Sequence, residues 1–505
     1  MNHLAPDRRD PPLPHVPVAA EHFDVLIVGA GISGIGSAWR LSKSLPDLKY
    51  AVLEAQESFG GTWLTHRYPG IRSDSDLHTF GFAFKPWVGP PIATAQEIRS
   101  YLDEVIKESG LDRHIRYRHR ILSAEWSSED SLWTLSVDCG DGAGPRLFTC
   151  NFLWMCQGYY RHDQGYTPEW KGMEDFKGEI IHPQTWPEGK DLSGKKVVVI
   201  GSGATAATLV PALAGKCAHV TMLQRSPTYF RTGRNAIEIA EELRRLEVDE
   251  AWIHEITRRK VLYDQDAFTR ACQERPDAVR KEMLDNLRAI LGPDFDVDRH
   301  FGPSYRPWRQ RIAFVPDADL FEAVKRGEAS VVTDEIDRFA PEGILLKSGE
   351  MLEADVIVTA TGFTLSVMGD IPFTVDGAPV DWSQTVTYRG MMFTGVPNLV
   401  WVFGYFRASW TLRTDLVADF MARLLPHMAA RGATQVGVAL RPEDAGMEIQ
   451  PWIDPEDFNP GYLMRDLHRM PRSGTKRDWR HTQDYWREKD EFPAIDLDDA
   501  AFVYR

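Results

Sequence analysis

The chain reads as an α/β protein with two Rossmann-like domains and a helical insertion. Three observations predict this. An apolar run, a glycine-rich turn and a helix-period segment follow one another in FDVLIVGAGISGIGSAWRLSKS (Phe23–Ser44). The same order returns in KVVVIGSGATAATLVPALA (Lys196–Ala214). Beyond it, up to residue 305, apolar residues recur at spacings of three and four with charges filling the rest, which is the period of helices. A chain of 505 residues also exceeds what one hydrophobic core organises.

In the first turn Gly29, Gly31 and Gly34 form G-x-G-x-x-G around Ser33. The first glycine permits the tight turn, the second lets the backbone approach a pyrophosphate, and the third lets helix and strand pack closely. The helix N-terminus beyond them presents free N–H groups and a partial positive charge to phosphate. The next strand, KYAVLEA, ends in Glu54, where a carboxylate accepts hydrogen bonds from a ribose diol. The bland alternative is an ordinary strand–helix–strand corner. The second turn carries Gly201, Gly203 and Ala206 around Ser202, Ala204 and Thr205. Its following strand, HVTMLQRSP, ends in Arg225 and Ser226 with no acid. A carboxylate there would repel a 2′-phosphate, whereas a guanidinium and a hydroxyl bind one. Otherwise Arg225 is a solvated surface residue. The first turn therefore suits FAD and the second NADPH.

Composition narrows the class. A net charge of −15 without a basic stripe argues against nucleic acid. Five Cys, with no CxxC and no metal-type spacing, read as reduced thiols of a cytoplasmic protein that binds no metal. They also exclude the onward electron relay of a disulfide reductase, which leaves dioxygen as the electron sink. No apolar run reaches the roughly 18 residues that span a bilayer. The expected organisation is a disordered Pro-rich tail over 1–20 and a first part of an FAD domain over 21–160. An NADPH domain follows over 161–230 and 306–364, interrupted by a helical insertion over 231–305. The chain then returns to the FAD domain and a C-terminal tail over 365–505. LVADFMARLLPHMAARG reads as a helix whose Met and Leu stripe is core.

Between the two units lies FKGEIIHPQTWP (Phe176–Pro187), with neither helical period nor strand alternation. It fits F-x-G-x-x-x-H-x-x-x-W-P through Phe176, Gly178, His182, Trp186 and Pro187, and so resembles the linker of type I Baeyer–Villiger monooxygenases. GGTWLTHRYPGIRSDSDLHTFGF (Gly60–Phe82) and VTATGF (Val358–Phe363) are similar to further segments of that family. Within it the likeness is nearest the ethionamide-activating branch. It runs from Phe23 onward and includes FGPSYRPWRQRIAFVPDADLF and ASWTLRTDL.

The resemblance implies an FAD enzyme that uses NADPH and O2 to insert oxygen next to a ketone carbonyl through a C4a-peroxyflavin. Thioether sulfoxidation is the side activity, and the partners are small ketones or thioethers. It implies that Thr62, Trp63 and Ile121 join the FAD site, that Arg311 is the catalytic cation and that Asp74, which also borders FAD, is its carboxylate partner. Nucleophilic attack needs a fixed cation beside the flavin and a water-poor pocket, and Arg stays charged at any working pH. Arg306, Arg309 and Arg311 are not distinguished by composition; only the resemblance selects Arg311. The linker is implied to couple the two nucleotide domains, with His182 either in that role or merely packing a seam. Two departures are visible. Gln310 stands where many members carry a Lys, so NADPH preference leans on Arg225 and Ser226. Phe406 and Arg407 stand where the nearest branch has smaller or uncharged residues, which is expected to alter which ketones fit. Two alternatives remain open at this level: an N- or S-hydroxylating flavin monooxygenase, and a non-oxygenating NADPH oxidase or redox sensor.

Overall fold

The computed structural model describes residues 20–505, so the reading of 1–20 as a disordered tail lies, except for Ala20, outside the described residues. The first apolar run forms strand β1 (Glu21–Val28), the helix-period segment forms α1 (Ile32–Ser44), and the strand ending before Glu54 is β2 (Tyr50–Leu53). β1 pairs in parallel with β2 on one side and with β3 (Arg146–Met155) on the other. The turn after β1 therefore sits where the strand order reverses, the place at which open α/β sheets bind ligands. An antiparallel meander, Arg120–Ser127 and Leu132–Asp138, extends this nine-stranded sheet beyond β3. Strand Leu399–Trp401 returns from late in the chain to pair with β3 in parallel.

The chain crosses away along β4 (Tyr160–Gly165). It then enters a second, all-parallel sheet through β5 (Glu179–Ile181), β6 (Lys196–Ile200), helix α2 (Ala204–Leu213) and β7 (His219–Gln224). Residues 238–301 hold four helices, of which α3 (Glu250–Glu274) and α4 (Pro276–Leu291) are the long ones. The sheet is completed by β8 (Ala329–Thr333) and β9 (Val356–Thr359), giving the order β8-β7-β6-β9-β5. Here too the glycine turn, which follows β6, lies at the order reversal, between β7 and β9. The return crossing, β10 (Phe363–Leu365), pairs antiparallel with β4, so the two passages between the sheets form one ribbon. Strands β6 and β9 are buried almost end to end, and β1 and β3 over their last four residues, as strands covered on both faces must be.

Two features differ from the sequence reading. Part of the Phe176–Pro187 segment is a strand after all: β5 takes the edge of the second sheet beside β9. Three residues are too few for an alternation to be read. The C-terminal segment, which carries no motif, is built into the fold. Phe502–Tyr504 pairs with Val436–Val438, and Glu488 is buried against Arg413 of helix α5 (Trp410–Ala430). Met421, Leu424 and Met428 of α5 are core residues. No helix of the described residues is long and apolar enough to cross a membrane.

Candidate active site

The first turn is a cradle only glycine allows. Gly29 has φ +99°, and a Cβ there would stand 2.8 Å from the Cys156 carbonyl oxygen; one on Gly34 would stand 1.8 Å from that of Gly29. Gly31 caps α1 without any side-chain hydrogen bond, so no capping side chain takes the first N–H groups of the helix. Glu54 is buried at the end of β2, where Oε2 accepts the Ala30 N–H (2.7 Å) and Oε1 accepts the Gln56 N–H (2.8 Å). Burial pushes this carboxyl above its usual range, against the backbone amides that pull it down. It borders the same cavity as Gly29 and Gly31. An anion-binding helix end and a buried acceptor on one wall fit a dinucleotide with a free ribose. The Ser33 hydroxyl borders the cavity but accepts the Trp410 Nε1–H of α5 (2.9 Å).

The second turn repeats the geometry. Gly201 has φ +123°, Gly203 caps α2 without a side-chain bond, and Ala206 is fully buried in the first turn of α2. Ser202 Oγ lies 2.8 Å from Thr228 Oγ1. Arg225 and Ser226 stand exposed just past β7.

One cavity of about 780 Å³ joins the two turns. It runs from Glu54 past Thr62, Trp63 and Ile121 to Gly203, Ala204 and Thr205, with Asp74 and Arg311 on its wall. Arg311 Nη2 donates to Asp74 Oδ1 (3.1 Å) and forms an ion pair with Oδ2 at 2.9 Å. The two side chains are 34% and 26% exposed, accessible from the cavity yet largely desolvated. Burial works against the Arg311 charge, but Asp74, with the phenols of Tyr159 and Tyr462, more than offsets it and holds its pKa above the ordinary arginine range. Gly34, Gly201, Ser202, Ala206, Arg225, Ser226 and all five linker residues lie off this cavity.

The linker residues make their contacts elsewhere. Phe176 is buried edge-on to Phe339, and Trp186 packs against the core of the second sheet. Gly178 has no room for a side chain, because its Cβ would lie 2.3 Å from the Asp355 carbonyl. Pro187 is exposed. His182 reaches both passages between the sheets: Nε2 lies 3.3 Å from the Gly362 carbonyl before β10, and its ring occupies the space beside Gly165 of β4. Nδ1 accepts the Gln184 N–H, so Nε2 carries the proton that goes to Gly362.

The sequence misses several wall residues. Tyr159, Tyr160 and Tyr462 face the cavity, and Tyr160 stacks on Phe363 (centroids 4.4 Å apart). His66 is buried among Tyr68, Tyr160 and Phe363, and burial pushes its pKa down to about 4. The paired tyrosines in QGYYRHDQG directly after β3 were a local signal; Tyr462 offered none. One expectation is overturned. Phe406 and Arg407 do not line the cavity, although Tyr405 and Ala408 on either side do. Phe406 stacks on Phe458 (4.7 Å) and Arg407 pairs with Asp457 (2.8 Å), so neither shapes a ligand directly.

Two nucleotide-type turns opening on one shared cavity define a dinucleotide-dependent oxidoreductase. Comparison with known proteins sharpens this. A family model described as an NAD(P)-binding Rossmann-like domain matches residues 27–89, and one described as flavin-binding monooxygenase-like matches 83–235. The FAD-containing monooxygenase EthA of Mycobacterium tuberculosis is 47% identical over 470 residues, covering 93% of this chain and 94% of the relative. The chain belongs to the family of FAD-containing flavin monooxygenases. An open crystal structure of cyclohexanone monooxygenase superposes with a TM-score of 0.72 at 20% identity, over 96% of this chain and 100% of that one. OTEMO in complex with FAD and NADP gives the same TM-score, identity and coverage. At such identity these structures establish the shared fold.

Proposed function

We propose that this monooxygenase is of the Baeyer–Villiger type, taking NADPH and O2 and converting ketones to esters or lactones, with thioether sulfoxidation as a side activity. The observation that carries the reading is the Arg311–Asp74 pair on the wall of the cavity between the two turns. Bound and reduced, the flavin supplies the electrons and the site at which dioxygen is activated. Everything else is asked of this chain's own groups. The open N–H groups of α1 would hold a pyrophosphate, and Glu54, fixed by the Ala30 amide, would accept from a ribose diol. The N-terminus of α2 would hold the second pyrophosphate, and Arg225 with Ser226, exposed just past β7, would grip a 2′-phosphate. Arg311 keeps a positive charge at every working pH and stabilises negative charge as it develops beside a carbonyl. Asp74 fixes the guanidinium plane, and the aromatic wall of Tyr159, Tyr160 and Phe363 limits water.

The test is product analysis with 2-decanone and with methyl phenyl sulfide. Ester from the ketone supports the reading; sulfoxide alone assigns the protein to the hydroxylating branch, and peroxide alone to an oxidase. Arg225 gives a second expected outcome. Arg225→Ala raises KM for NADPH by about tenfold or more and leaves that for NADH within about twofold, because one charge-assisted phosphate contact contributes roughly 1.5–3 kcal/mol. Equal changes with both cofactors would remove Arg225 from the 2′-phosphate site.

A further inference from the structure

We propose that Arg407 is a positioning residue: with Asp457 it clamps the loop that carries Arg311 and so fixes where that guanidinium stands. The proposal rests on the role of Arg311 given above. Arg311 closes an irregular stretch between a helix ending at Phe301 and a strand starting at Ala313. Nothing in its own secondary structure determines its position, and Trp308, three residues earlier, holds φ +63°, a conformation that persists only when surroundings impose it. The surroundings are specific. Arg407 Nη2 donates to the Trp308 carbonyl (3.2 Å) and to the Asp457 carbonyl (2.9 Å), while Nη1 donates to Asp457 Oδ2 (2.8 Å). From the loop, Arg306 Nη2 donates to Asp457 Oδ1 (2.7 Å), and the Asn459 N–H donates to the Arg309 carbonyl (2.8 Å). One carboxylate is thus shared by a guanidinium inside the loop and one outside it.

Arg407 is only 8% exposed, and arginines so buried occur where the charge is paired. A planar fork serves two carbonyls and a carboxylate at once, which a lysine ammonium on a flexible stem cannot reproduce. Arg407 borders neither turn and does not line the cavity, so its influence on chemistry passes through the loop.

The experiment compares native protein with Arg407→Met, Arg407→Lys and Asp457→Asn. Amide hydrogen exchange over 306–311 is read in both flavin-free and flavin-loaded protein; ester formed per NADPH from 2-decanone and the rate of flavin reduction by NADPH are read in the loaded enzyme. The clamp predicts exchange over 306–311 about tenfold faster in Arg407→Met, with 21–53 unchanged. It predicts ester per NADPH lower by about tenfold or more, a smaller loss for Lys, and reduction within about twofold of native. In an Arg311→Ala background, Arg407→Met should leave the remaining product ratio unmoved, since both act through one group. Unchanged exchange in a folded Arg407→Met protein, or flavin reduction falling as far as ester yield, overturns the proposal. Should Arg407→Met not fold, Asp457→Asn decides by the same criteria. A native enzyme that forms no ester, with exchange still faster in the variant, removes the role of Arg311 and leaves the clamp standing.

Discussion

Arg311→Ala should retain its flavin, still be reduced by NADPH, and lose ester formation by about 10²–10³-fold, the usual effect of deleting one preorganised charge from a reacting site. The expectation follows from where the charge sits. Arg311 is partly buried, and Asp74 keeps it ionised and aimed. No other Arg of its loop can replace it: Arg306 is spent on Asp457 and Arg309 on Glu456. Electrons that reach the flavin but find no stabilised path to product should leave as hydrogen peroxide, so NADPH consumption persists while ester disappears. Asp74→Asn keeps a hydrogen-bonding partner without its charge and should cost less than Arg311→Ala. Ester yield and peroxide yield per NADPH are the measurements. An unaltered ester yield in Arg311→Ala would remove this residue from the chemistry.

The second large effect concerns the flavin itself. Glu54→Lys should strip FAD from the purified protein, lowering affinity by about 10²-fold or more, because it replaces a buried acceptor by a buried cation. The Glu54 oxygens already receive the Ala30 and Gln56 amides, so a lysine there faces two donors with nothing to accept from them. Glu54→Gln separates the two contributions. One amide oxygen still accepts, the NH2 opposes the other backbone N–H, and a partial loss of flavin is expected, near 1–3 kcal/mol for a buried donor left unpaired. Flavin content by absorbance after purification, with far-UV circular dichroism to verify folding, gives the answer. Full occupancy in Glu54→Lys would contradict the ribose-binding role.

The two glycine turns were legible because they are local. Each is defined by spacing within some thirty residues, and both lie at the reversal of strand order in their sheets. The pairing of Arg311 with Asp74 was legible only by resemblance. Three arginines within six positions look alike in sequence; the fold separates them by sending two to carboxylates at 456 and 457 and one to residue 74. Phe406 and Arg407 were misread for the same reason. Bulk and charge next to a pocket segment suggest a pocket wall, but the side on which each side chain falls is set by Asp457 and Phe458, some fifty residues later. Tyr462 and the contact of His182 with Gly165 depend on long-range packing and leave no periodic trace.

Turnover of 2-decanone by the native enzyme under ¹⁸O2, with NADPH and mass analysis of the product, addresses the role of the cavity most directly. The expected result is an ester carrying a single ¹⁸O, formed by native protein and reduced by about 10²–10³-fold in Arg311→Ala, which nevertheless consumes NADPH. If the native protein oxidises NADPH and releases only peroxide, with no ester from linear, cyclic or aryl ketones, the Arg311–Asp74 pair does not make this a ketone-oxidising site.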